Sequence, residues 1–111
     1  MPEPTKRLKK FTRDFPAVAL AYEEVGKAVH GAGPLDEKTR ALIRLGISVG
    51  ARLEGAVHSH IRKALEVGVT PDKLRHAVAL ALPTVGLPSV MAGLSWVDKT
   101  IEAARPLRKK R

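Results

Sequence analysis

Apolar residues along this chain recur at the helical period, and no stretch of useful length alternates as a strand would. Phe15, Val18, Tyr22, Val25 and Val29 are spaced 3, 4, 3 and 4 apart, which predicts a helix over 15–30, with Asp14 as its cap and Pro16 in its first turn. Gly31-Ala32-Gly33-Pro34 breaks that helix, and Asp36 opens a second one, carried by Leu42, Leu45, Ile47 and Val49 to Gly50. A third is predicted from Leu53 to Val67, with Leu53, Val57, Ile61, Ala64 and Leu65 on one face and Gly68 as its left-handed stop. Thr70 caps a fourth helix that begins at Pro71 and runs to about Leu82. Pro83, Gly86 and Pro88 interrupt it, and Val90, Leu94, Val97 and Ile101 define a fifth that should fray before Pro106. The pattern reads as an all-α domain of five to six helices. Leu82, Val85, Val90 and Met91 lie over more than one stripe, so subunit contacts are expected to cover what a small monomer would expose.

Charge changes this picture only at the ends. The 111 residues carry a net +9; residues 1–10 hold +3 and residues 105–111 hold +5, so the body between them is nearly neutral. The expected organisation is a basic N-terminal arm over 1–10, one domain over 11–104 and a basic C-terminal tail over 105–111. The tails suit a polyanion electrostatically, but no aromatic residues interleave them for base stacking. There is no cysteine, which excludes disulfides, thiolate metal sites and thiol redox cycles. No apolar run is long enough to span a bilayer and the N-terminus lacks a secretory apolar stretch, so a cytoplasmic protein without membrane contact is expected.

Candidate chemistry concentrates in the third helix, in Glu54-Gly55-Ala56-Val57-His58-Ser59-His60. On a helical projection His60 falls inside the apolar arc, while Glu54 and His58 form an i,i+4 pair at its border. An imidazole and a carboxylate driven toward a buried face shift their protonation equilibria, which is what acid/base work uses. A core histidine satisfied by a neighbouring group is the ordinary alternative for His60. His58 and His60 diverge by about 160° around the helix, which argues against a metal site within one subunit. No metal or cofactor is expected. His30 and His76 read as structural, and Trp96 and Met91 as core or interface.

Leu35-Asp36-Glu37-Lys38-Thr39-Arg40, His60-Ile61-Arg62-Lys63-Ala64-Leu65-Glu66-Val67-Gly68-Val69-Thr70 and the later Gly86-Leu87-Pro88 together resemble the carboxymuconolactone decarboxylase family, which includes the alkylhydroperoxidase D-like proteins. The resemblance, over Gly33 to Glu102, implies an all-α fold assembled as a homo-oligomer, trimer or hexamer, with an active site at a subunit interface. The peroxidase-like branch carries Cys-x-x-Cys-x-x-x-His ending on the family histidine, which falls here on His60. Its cysteines fall on Leu53 and Ala56, and its upstream glutamate on Ala41, so thiol-dependent peroxide reduction is chemically closed to this chain. The lactone decarboxylases keep the histidine without that cysteine pair. The implied reading is an acid/base site acting on a small carboxylate, with His60, His58 and Glu54 as its residues. The rival reading is a non-enzymatic homo-oligomer that binds or scaffolds through its basic tails.

Overall fold

The computed structural model describes the backbone of residues 6–109 and the side chains of residues 6–104. Among these residues the only regular structure is α-helix, so the all-α class stands, in seven segments where five to six were expected: α1 Lys6–Asp14, α2 Pro16–His30, α3 Glu37–Gly50, α4 Glu54–Glu66, α5 Pro71–Ala79, α6 Leu82–Val85 and α7 Leu87–Lys109. They divide into two compact units. One holds α1 and α2 up to Leu35, and the other runs from Asp36 onward. The expected boundaries at 10/11 and 104/105 fall inside α1 and α7, whereas the division falls at 35/36.

In the first unit, Lys6 to Lys10, read as part of an arm, belong to a helix whose Leu8 and Phe11 share a face. Phe11 and Phe15 meet with ring centroids 5.5 Å apart. Asp14 does not cap α2; it ends α1 and pairs with Lys10 at 2.7 Å, leaving Phe15 at the cap position with no side-chain cap bond. No residue of α1 or α2 is buried.

The second unit is built around Leu45 and Val49 of α3, Val57, Ile61 and Ala64 of α4, Leu74 and Val78 of α5, and Val90, Val97 and Ile101 of α7. Val90 thus lies in the core instead of at an outer stripe. Its helix starts are chemically explicit: Asp36 accepts from the Thr39 N–H at 2.8 Å, and Thr70 accepts from the Lys73 N–H at 3.4 Å. Two helix ends use the same Schellman geometry. At the end of α4, Gly68 takes φ +92° while the Val69 N–H donates to the Ala64 carbonyl. At the end of α3, Arg52 takes φ +56° while the Leu53 N–H donates to the Ser48 carbonyl, so a side-chain-bearing residue occupies the conformation that glycine adopts freely. The Arg52 guanidinium is anchored on Ser89 Oγ at 2.9 Å.

The fourth predicted helix is split, because Pro83 has no N–H with which to continue α5 but fits the first turn of a new helix, α6. Conversely α7 does not stop before Pro106. A proline costs its helix one hydrogen bond and some crowding, and the turns at Val97 and Ile101 are already held by packing. Gly93 marks where α7 crosses its neighbours most closely: a Cβ there would stand 2.8 Å from Val49 Cγ1 and 3.1 Å from Val78 Cγ1. Among the described residues no helix is long and apolar enough to cross a membrane.

Candidate functional site

α4 carries all three residues singled out from the sequence, and the fold separates them into two places. Val57, Ile61 and Ala64 bury one face of the helix. On one side of that face Glu54 and His58 pair across a turn, with His58 Nε2 3.2 Å from Glu54 Oε2. His58 Nδ1 makes a short hydrogen bond with Thr100 Oγ1 of α7, and the same hydroxyl bonds the Trp96 carbonyl at 2.9 Å. His58 is therefore fixed at both ring nitrogens, in a carboxylate–imidazole–hydroxyl relay that joins α4 to α7. Glu54 is exposed, His58 is about a quarter exposed and Thr100 is buried.

His60 lies elsewhere on the helix circumference, half-buried, with Arg44 of α3 and Lys63 of α4 as its charged neighbours. Loss of hydration pushes its pKa down to about 4, and the two cations add to the effect, so the ring is neutral at physiological pH. A neutral imidazole beside cationic groups can accept a proton once an anion arrives to offset them. Among the described residues no group of three His, Cys, Asp or Glu side chains is placed to hold a metal ion. His58 and His60 do not converge.

Two clefts of this unit flank these helices. One, of about 380 Å³, lies between α4 and α7 and is lined by His58, Arg62, Lys99, Thr100, Ala103 and Ala104. The other, of about 520 Å³, lies between α3 and α5, with Leu42, Ile43, Gly46 and Ala77 beside Lys73 and His76. His76, read as structural, thus lines a cleft, while Trp96 packs against the core and Met91 is exposed.

Sequence reasoning located the Glu54–His58 pair because i,i+4 spacing is local. It did not locate Thr100, 42 residues from His58, or Arg44, which reaches His60 from another helix. Arg62 carried a usable signal, since it follows His58 by four residues and so shares its face.

The model of the carboxymuconolactone decarboxylase family matches residues 16–99. A nitrosuccinic acid decarboxylase, npaB, of the fungus Metarhizium robertsii is 34% identical over 91 residues, which are 82% of this chain and 62% of that protein. An uncharacterized Haemophilus influenzae protein is 33% identical over 66 residues, 56% of this chain and 58% of its own. This chain therefore spans about three fifths of the length of these relatives. In fold it is similar to a carboxymuconolactone decarboxylase family protein of Legionella pneumophila, with a TM-score of 0.78 at 24% identity and 86% of each chain covered. A Thermotoga maritima protein gives a TM-score of 0.74 at 22% identity, over 96% of this chain and all of that one. A family match over residues 16–99, most of the folded body, makes this chain a member of the carboxymuconolactone decarboxylase family.

Proposed function

We propose that this protein decarboxylates a small carboxylic acid, with His60 as its acid/base group and Arg44 and Lys63 as the cations that receive the substrate's carboxylates. The single observation that carries the reading is the half-buried His60, kept neutral chiefly by loss of hydration, with Arg44 and Lys63 as its charged neighbours. The relative that decarboxylates nitrosuccinic acid supports the reaction type. Decarboxylation breaks the carbon–carbon bond to the leaving carboxylate, releases CO2 and leaves an electron pair on the remaining carbon. An electron-withdrawing group on that carbon must accept the pair, and a proton must follow it. Binding of an anionic substrate beside Arg44 and Lys63 raises the proton affinity of His60, which then delivers the proton to carbon. Glu54 and His58 form a carboxylate–imidazole pair elsewhere on the same helix. The absence of cysteine leaves this acid/base route and removes the thiol route.

The protein is proposed to work as a homo-oligomer, with the interface completing the site. Support comes from α2, whose Val18, Tyr22, Val25 and Val29 are all exposed. The proposed polyanion contact of the tails falls on residues 1–5 and 110–111 and on side chains 105–109, outside the described residues, except for Lys6, Arg7, Lys9 and Lys10 of α1.

The test is CO2 release from a panel of substituted succinic acids, nitrosuccinic acid included. Turnover with at least one of them, falling by about a hundredfold or more in His60→Gln, is expected. An inactive panel, or His60→Gln with full activity, overturns the proposal.

A further inference from the structure

We propose that the cleft between α4 and α7, which the His60 site does not use, binds a small oxyanion, a carboxylate or a phosphate.

The first argument is the pattern of paired and unpaired cations. Arg75 is held by Asp98 at 2.8 Å, Lys10 by Asp14 at 2.7 Å, and Lys27 faces Glu23 and Glu24 within 3.8 Å. Arg62 and Lys99 both line the cleft, and among the described residues neither has an ion-pair or hydrogen-bond partner. Glu54, the acid that contacts the cleft's imidazole, is already engaged by that ring, and Asp98, beside Lys99, is held by Arg75. Two cations on a shallow groove are ordinarily just solvated. Here they come from two different helices and share the groove with an imidazole fixed at both ends, while Ala103 and Ala104 present only methyl groups and leave about 380 Å³ open. A planar or tetrahedral oxyanion entering that space meets a guanidinium and an ammonium at once, which is the donor set that such anions favour.

The second argument is hydrogen-bond valence. When the Thr100 hydroxyl donates to the Trp96 carbonyl, its oxygen can only accept from His58 Nδ1–H. Glu54 likewise can only accept from Nε2–H while it is ionised. The doubly protonated ring satisfies every partner. A singly protonated ring keeps either the Thr100 hydroxyl in place, through Nδ1–H, or the Glu54 carboxylate, through Nε2–H, with the hydroxyl then turned to Nδ1. In each state at least one ring nitrogen stays tied, so the imidazole holds its place as one wall of the cleft.

The experiment follows the His58 ring and Thr100 by NMR as sodium succinate, sodium phosphate or, at matched ionic strength, sodium chloride is added to the whole protein. Saturable shifts with succinate or phosphate and none with chloride are expected. Which of the two anions saturates identifies the ligand as carboxylate or phosphate. Arg62→Gln and Lys99→Gln should each weaken binding about tenfold. His58→Gln should retain binding, read at Thr100. His60→Gln should bind as the native protein does, which separates this site from the proposed decarboxylase site. Shifts that grow linearly with salt, that survive Arg62→Gln and Lys99→Gln, or that vanish in His60→Gln overturn the proposal.

Discussion

The two units of this chain carry similar hydrophobic patterns and use them in opposite ways. Leu45, Val49, Val57 and Ile61 of the larger unit are fully buried, whereas Val18, Tyr22, Val25 and Val29 of α2 are 55%, 74%, 58% and 67% exposed. Helical periodicity states that a helix has an apolar face. It does not state what covers that face, and in this chain the answer for α3–α5 and α7 is each other. For α2 the proposed answer is another copy.

The sharpest way to break that contrast is to truncate one residue on each side. Ile61→Ala should cost about 2–5 kcal/mol in urea denaturation, because it deletes contacts in a packed core that relaxes only partly. Val25→Ala should cost under about 0.5 kcal/mol under dilute conditions where the protein is dissociated, while lowering the mass seen by light scattering at high concentration. Equal costs for the two would mean that α2 is packed within the monomer.

Glycines give a second pairing. Gly93→Ala pushes a methyl group against Val49 and Val78 and should destabilise by about 1–3 kcal/mol. Gly26 of α2 has nothing within 4 Å of the Cβ position, so Gly26→Ala should stabilise by about 0.5–1 kcal/mol through helix propensity alone. A destabilising Gly26→Ala would reveal a close neighbour on that face in the assembled protein. A further test is pH dependence. The folded-state pKa of His60 lies below its unfolded value of 6.5, so between about 6.5 and 4 the unfolded chain binds more protons. Stability should therefore fall as pH drops through that window and level off below about 4. His60→Gln should flatten this slope in thermal melts at several pH values, and an unchanged slope would place its cause in other groups.

Much of the larger unit could be read from sequence because its signals are local. Asp36 and Thr70 cap as their residue types predict, Gly68 takes the left-handed turn, and Glu54 finds His58 one turn away. The failures came where a residue served a neighbour the sequence does not place beside it. Asp14 looked like a cap, but its carboxylate is taken by Lys10, and the basic run read as an arm is amphipathic enough to form α1. Arg52 in a glycine conformation had no warning in its residue type; its tie to Ser89 spans 37 residues. Half of the candidate site was legible on these terms. The helix face of His58 and His60 follows from periodicity, whereas Thr100 and Arg44 depend on how α7 and α3 pack against α4.

The bond between His58 and Thr100 also bears on the order in which the chain can mature. Val90, Val97 and Ile101 of α7 complete the core that α3, α4 and α5 begin. During synthesis the earlier helices leave the ribosome before α7 is made, so Leu45, Val49 and Val78 face water or a chaperone until it emerges. The capped turns at Asp36 and Thr70 can form while translation continues, since each needs only its own neighbours. Closure of the unit waits for the last helix, and the imidazole of His58 meets its hydroxyl only then.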